Sequence, residues 1–228
     1  MERLTERLTE ELNCNTVFTI PIGKGIPIAE SVVITWVIIG AVLLLSLFLT
    51  RNLKVTDPGR RQLVAETLVM KLERFVTDMT GEDGKSYVPY LASVLVFLVI
   101  SNLAGLFGMK PPTKDLNVTA ALAIMSIVLI EFAAVRRKGF RRWLKSFTEP
   151  VALVTPFNIL EVFIRPLSLC MRLFGNVLGS FIIMELIKMV IPVLVPLPFS
   201  FYFDIFDGLI QAYVFVFLTS LFLREAIA

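Results

Sequence analysis

Five long apolar stretches constrain the fold of this chain more than any other feature of its sequence. A helix needs about 20 apolar residues to cross a bilayer core, and a crossing segment must satisfy its backbone hydrogen bonds internally. The composition, 56% apolar and 18% charged, also departs from that of a soluble domain. We therefore predict an all-α integral membrane protein, forming one membrane domain over residues 1–228. The predicted membrane helices are 29–50, 86–109, 115–135, 156–190 and 199–224.

Basic residues between the apolar stretches predict the orientation. Lys and Arg are frequent between the first two stretches and again between the third and fourth, whereas the loop at 110–114 has only Lys110 and Lys114. Loops rich in these residues stay on the cytoplasmic side. The N-terminus is thus predicted outside, with residues 1–28 as an outer segment, and the C-terminus inside. The first apolar stretch is too long for a secretory signal, so no cleaved signal peptide is expected.

Residues 60–79 are predicted to form an amphipathic helix. Two placements fit it: along the cytoplasmic membrane surface, or over other helices inside the protein. Its apolar face comprises Val64, Leu68, Leu72, Phe75, Val76 and Met79.

Several kinds of chemistry are excluded. The chain has no histidine, which removes Ser-His-Asp catalysis and imidazole proton relays. Cys14 and Cys170 are isolated, so neither a disulfide framework nor a cysteine metal site is expected. We predict no metal, no cofactor and no nucleic-acid partner.

Arg172 lies near the middle of the fourth apolar stretch. Its guanidinium stays charged in proteins, and a charge at the bilayer centre costs roughly 2.5 kcal/mol or more. One interpretation is a structural salt bridge, with close helix packing at the small residues; the other, which we favour, is a functional charge displayed to a passing helix. At 100° per residue, five residues lie within about 60° of the Arg172 direction: Arg165, Ser168, Gly175, Asn176 and Gly179.

Carboxylates lead from the predicted outer side toward this arginine. Asp204, Asp207 and Gln211 follow one another at i, i+3 and i+7, which is one face of an α-helix. Glu185 is expected at the depth of Asp204. The pattern fits a proton or cation path interrupted by an immobile positive charge.

Two further carboxylates lie toward the cytoplasm. Glu131 and Glu161 are near the inner ends of the third and fourth stretches. We expect them to be solvated or, for Glu161, paired with Arg165 four residues later.

Four motifs resemble, in their order and spacing, subunit a of bacterial F-type ATP synthases, the membrane stator that faces the rotor ring of c subunits. They are "SNLAGLFG" (101–108), "PTKDLNVTAALAI" (113–125), "RPLSLCMRLFGN" (165–176) and "GLIQAYVFVFLTSLFL" (208–223).

The resemblance implies roles for individual residues. Arg172 corresponds to the essential arginine that meets the carboxylate of each passing c subunit, and Gln211 to the glutamine opposite it. Asn176, Ser168, Gly175 and Gly179 would lie near the arginine on the face toward the c ring. The outer half-channel would contain Glu185, Asp204, Asp207 and Asn102, and the cytoplasmic half-channel Glu161 and Glu131.

One position departs from the family pattern. Many relatives have Glu or His nine residues after the arginine, where this chain has Phe181. Glu185 lies one turn further outward on nearly the same face. We therefore predict that Glu185, with Asp204 and Asp207, carries out the work of the outer channel.

The resemblance also implies a non-catalytic subunit with a long, tilted C-terminal helical hairpin in the bacterial plasma membrane. Its partners would be the c ring, the peripheral stalk of b subunits, the rest of the synthase and the lipid bilayer. The alternative is a self-contained secondary transporter or channel in which Arg172 binds a substrate or counter-ion. A scaffold without transport is a third possibility.

Overall fold

A short antiparallel hairpin begins the described part of the chain. Strands β1 (Thr16–Ile20) and β2 (Ile26–Ala29) pair with Ile20 opposite Ile26. The sequence did not predict these strands, which precede the membrane helices. The computed structural model describes residues 16–20, 26–51, 53–54, 59–107, 109, 111–148, 155–190 and 196–227.

Helices dominate the remaining described residues. They are α1 (Glu30–Thr50), α2 (Arg60–Thr80), α3 (Val88–Leu103), α4 (Leu116–Lys138), α5 (Phe140–Ser146), α6 (Thr155–Val190), α7 (Pro196–Ser200) and α8 (Gly208–Ile227). Short 3₁₀ turns occupy Glu82–Tyr87, Ala104–Phe107 and Pro112–Lys114. Within the described residues, five helical stretches are long and apolar enough to cross a membrane. The predicted all-α membrane fold is confirmed.

Local sequence signals explain where α4 begins and ends. Asp115 precedes the helix, and its Oδ1 accepts a hydrogen bond from the backbone N–H of Asn117 at 2.9 Å, the usual role of an N-cap aspartate. Its other carboxylate oxygen accepts from the hydroxyl of Ser31 in α1. At the other end, Gly139 has a φ of 81°, a conformation that glycine adopts without steric cost. The cap thus also fastens α1 to the start of α4.

The core lies where α3, α4, α6 and α8 meet. Helix α4 packs against α6 and α8, and α3 packs against α8. Leu98, Ile130, Leu173 and Val216 are fully buried. Helix α1 instead exposes most of its apolar side chains, including Leu44, which suits contact with lipid or with another subunit.

Packing over other helices, one of the two placements considered for the amphipathic helix, is confirmed for part of α2, and the placement along the membrane surface stays a prediction. Near its end, Val76 is fully buried and Leu72 and Met79 pack against the core. Near its start, Val64 and Leu68 are exposed. The second half of α2 therefore covers the other helices, while the apolar side chains of the first half are left uncovered.

Helix α6 is the longest element. Its 36 residues extend about 54 Å at 1.5 Å per residue, more than the ~30 Å hydrocarbon core of a bilayer. A helix of this length fits a membrane when it is tilted, and the tilt stays a prediction.

The predicted α-helical register is wrong just before α8. Residues Phe201–Asp207 form a π-helical segment, in which hydrogen bonds run from i to i+5. Its last wide turn is closed by the N–H of Gly208, which donates to the carbonyl of Phe203. The regular spacing assumed for Asp204, Asp207 and Gln211 therefore holds only from Asp207 onward.

Candidate functional site

Arg172 is displayed on the outside of the helix assembly. It is exposed on α6, together with Ser168 and Gly175 of the same strip. A side chain added at Gly175 or Gly179 would meet nothing within 4 Å. Among the described residues Arg172 makes neither an ion pair nor a hydrogen bond. The charge and the small residues around it thus face away from this chain, toward whatever packs on α6.

A polar cluster joins α6 to α8 one helical turn from Arg172, about 6 Å along the axis. Nδ2 of Asn176 donates to Oδ2 of Asp207 at 2.7 Å and approaches Oε1 of Gln211 at 3.4 Å. The Ser180 hydroxyl lies 3.3 Å from the same Asp207 oxygen and 2.8 Å from the carbonyl of Asn176. Three predicted residues, Asn176, Asp207 and Gln211, are brought together here.

Gln211 has a buried donor without a partner. Its side chain is 6% exposed, and within the described part of the chain Nε2 has no hydrogen-bond acceptor. An unsatisfied buried donor costs roughly 1–3 kcal/mol. Such a group is suited to bind a water molecule or a polar group supplied by a partner.

Asn102 forms two hydrogen bonds that the sequence did not indicate. Its Nδ2 donates to the carbonyl of Gly208 at 2.8 Å, and its Oδ1 accepts from Thr113 Oγ1 at 3.0 Å. Asn102 is therefore engaged with the backbone at the start of α8.

Lys114 contacts Phe181, the residue that departs from the family pattern. Its Nζ lies 3.4 Å from the centroid of the Phe181 ring, a cation–π contact. The sequence analysis did not single out Lys114, because the contact joins two distant segments. The side chains of Glu185 and Asp204 lie outside the described part of the structure, so their predicted roles stay predictions.

An arginine with two carboxylate partners lies at the other end of the α6–α8 pair. Arg165 contacts Glu161 at 2.9 Å and Glu225 of α8 at 3.1 Å. Its guanidinium also lies 5.1 Å from the centroid of the Phe222 ring. The predicted Glu161–Arg165 pair is confirmed, while Glu225 was missed because its partner lies on another helix.

Glu131 has a different partner. Its Oε2 accepts a hydrogen bond from Nε1 of Trp143 in α5 at 2.8 Å. This bond ties the short helix α5 back onto α4.

Among the described residues, no cluster of three or more His, Cys, Asp or Glu side chains could hold a metal ion, and the absence of a metal from the chain stays a prediction.

Comparison with known proteins reveals the family. The model of the ATP synthase A chain family matches residues 32–224. ATP synthase subunit a of Moorella thermoacetica is 36% identical over 205 residues, covering 88% of this chain and 91% of the relative. ATP synthase subunit a 2 of a Bradyrhizobium species is 35% identical over 203 residues, covering 89% and 90%.

A third relative carries an ion in its name. The sodium ion specific ATP synthase subunit a of Propionigenium modestum is 32% identical over 219 residues, covering 89% of this chain and 75% of the relative. The apolar helices and these matches indicate a multi-pass protein of a bacterial membrane. The chain belongs to the ATP synthase A chain family, the non-catalytic, ion-translocating stator subunits of F-type ATP synthases.

Proposed function

We propose that Arg172 is the fixed charge that separates two ion half-channels and faces the ion-carrying carboxylate of each c subunit in a rotor ring. The observation that carries this proposal is its exposure without an ion pair or hydrogen bond among the described residues. An ionisable group within a membrane requires a partner or water. A carboxylate on a neighbouring helix is the partner that a guanidinium binds best.

The outer half-channel runs past Glu185, Asp204 and Asp207 to the polar cluster beside Arg172. Asp207 accepts a hydrogen bond from Asn176, and Gln211 retains an unsatisfied donor. These groups can pass an ion or a proton toward α6 through hydrogen bonds. The carboxylate of a c subunit receives it there, and the ring carries it onward.

The cytoplasmic half-channel releases the ion near Glu161 and Glu131. Arg172 prevents a direct leak between the two half-channels, because a cation approaching it is repelled. It also favours the ionised form of the carboxylate that arrives empty. Rotation of the ring is thereby coupled to ion flow.

The remaining parts of the proposal concern assembly. The 228 residues form one membrane domain with the N-terminus outside and the C-terminus in the cytoplasm. The exposed strip of Ser168, Arg172, Gly175 and Gly179 packs against the c ring. The b subunits of the peripheral stalk hold the chain still against the torque of the ring, and lipid surrounds the rest.

The decisive experiment is Arg172→Ala in membranes that contain the assembled synthase. We expect loss of ATP-driven ion pumping, measured with a fluorescent indicator in inverted vesicles. Gly40→Ala is a matched control, because a side chain there meets nothing within 4 Å. Full pumping by Arg172→Ala would overturn the proposal. Transport by the purified chain without a c ring would favour a secondary transporter instead.

A further inference from the structure

Three residues from separate segments hold the junction between the π-helical segment and α8. Nδ2 of Asn102 in α3 donates to the carbonyl of Gly208 at 2.8 Å, and Thr113 Oγ1 donates to Oδ1 of Asn102 at 3.0 Å. Asn102 is 5% exposed and Thr113 is fully buried. We call this group, Asn102, Thr113 and Gly208, the Asn102 clamp.

The hydrogen bonds fix the orientation of the Asn102 amide. A hydroxyl can donate to the amide oxygen, and a backbone carbonyl can only accept. Thr113 therefore holds Oδ1 on one side, which leaves Nδ2 to donate to Gly208. Asparagine meets both demands at once, whereas aspartate could not donate to the carbonyl.

Glycine is required at position 208 for steric reasons. A Cβ atom built there would lie 2.9 Å from Cβ of Asn102, closer than two carbon atoms pack. Helices α3 and α8 therefore pack closely at Asn102 and Gly208. Any larger residue would push the start of α8 away from α3.

We propose that the Asn102 clamp positions Asp207 for ion transfer by fixing where the π-helical segment ends. Gly208 closes the last wide turn through its N–H to Phe203, and its carbonyl is held by Asn102. Asp207, the neighbouring residue, then meets Nδ2 of Asn176 at 2.7 Å. The clamp residues act on Asp207 through the backbone of α8.

A clamp is needed here because the regular α-helix is the commoner alternative to the π-helical form. This geometry is rare and usually confined to a single turn. If the junction moved by one residue, the side chains of the segment would rotate by about 100°. Asp207 would then leave Asn176 and Ser180. The importance of this rotation for pumping rests on the proposed outer half-channel. The geometry of the clamp does not depend on that proposal.

Cross-linking tests the geometry independently of transport. Cysteines introduced by Ser180→Cys and Asp207→Cys, with Cys14 and Cys170 replaced by serine, are joined by a short thiol reagent in membranes containing the assembled synthase. We expect Thr113→Val, which deletes one buried hydrogen bond, to slow cross-linking about fivefold. Thr113→Ser should restore the rate. Gly208→Ala should slow it, and Gly40→Ala should leave it unchanged.

Pumping is then measured with the original cysteines and with Ser180 and Asp207 intact. Thr113→Val should slow ATP-driven pumping while the amount of assembled subunit, followed by immunoblotting, stays constant. Cross-linking at the unmodified rate in both Thr113→Val and Gly208→Ala would overturn the clamp. If Gly208→Ala does not assemble, the two Thr113 variants decide. If Thr113→Val slows cross-linking while Thr113→Val and Asp207→Asn both pump normally, the geometry of the clamp is supported and the outer half-channel is overturned.

Discussion

Polar side chains at the two ends of the α6–α8 pair are held by different interactions. At the Asp207 end, Asn176, Ser180, Asp207 and Gln211 are joined by hydrogen bonds alone. At the Arg165 end, Arg165 is 13% exposed and contacts two carboxylates that are both more than half exposed. Arg172 lies between them. The Asp207 end is a partly buried, hydrogen-bonded cluster of uncharged groups around one acid, whereas the Arg165 end is a largely buried guanidinium paired with two solvent-exposed carboxylates.

The difference indicates which end is sensitive to single substitutions. Removing the charge of Asp207 changes the group that Asn176 and Ser180 contact, and no second carboxylate joins this cluster among the described residues. The ion pairs of Arg165 contribute less, since both carboxylates are more than half exposed and are screened by water and salt. We therefore expect large effects at the Asp207 end and small, salt-dependent effects at the Arg165 end.

The largest effect in this comparison is expected from Asp207 and Glu185, the acids of the proposed outer half-channel. Asp207→Asn should lower ATP-driven pumping about tenfold, since a hydrogen bond to a charged group is worth roughly 1.5–3 kcal/mol. Glu185→Gln should lower it as well. The control is Asp83→Asn, which removes the exposed ion pair with Arg137 and should leave pumping unchanged. Unaltered pumping by Glu185→Gln would show that Glu185 does not replace the acid missing at Phe181.

An intermediate effect is expected at the Arg165 end. Glu225→Gln alone leaves Arg165 paired with Glu161, so the thermal stability of the assembled synthase should fall by only about 0.2–1 kcal/mol. Glu161→Gln together with Glu225→Gln leaves a largely buried guanidinium without a carboxylate. The double variant should therefore lose more stability than the sum of the single variants.

Salt sharpens the same test. High salt should shrink the stability loss of Glu225→Gln because the Glu225 carboxylate is 60% exposed and open to screening, while the pumping loss of Asp207→Asn should persist. If the stability loss of Glu225→Gln and the pumping loss of Asp207→Asn responded equally to salt, the distinction between the partly buried Asp207 cluster and the exposed carboxylates of Arg165 would be contradicted.

The smallest effect is expected at Glu131. Trp143→Phe removes the donor that holds Glu131 Oε2 while keeping an aromatic ring against Phe140 and Phe147. The variant keeps the Glu131 carboxylate itself and removes only its donor, so pumping should fall by about twofold or less. A loss as large as that of Asp207→Asn would place Glu131 among the principal ion-carrying groups.

Much of the architecture and part of the site could be predicted from local patterns. Length and hydropathy identify membrane helices because each span must be apolar along its whole length. The Glu161–Arg165 pair follows from i, i+4 spacing within one helix. Ser180 also had a local signal, since it lies one turn beyond Asn176, but a serine in a membrane helix is too common to be singled out.

Other contacts had no local signal. The Asn102–Gly208 bond joins residues 106 positions apart, and the Lys114–Phe181 and Arg165–Glu225 contacts likewise connect separate segments. The predicted α-helical spacing of Asp204, Asp207 and Gln211 failed for a different reason, the π-helical segment. A helical wheel assumes one regular period, and a single wide turn shifts every residue before it.

The sequence by itself determined that this is a multi-pass membrane protein with a charge on a strip of small residues, because apolar length and helical periodicity are properties of contiguous residues. Only the tertiary structure decided which acid meets Asn176, where α8 begins and which carboxylates share Arg165. Those outcomes depend on how α3, α4, α6 and α8 pack together, and packing brings together side chains whose separation along the chain carries no periodic pattern.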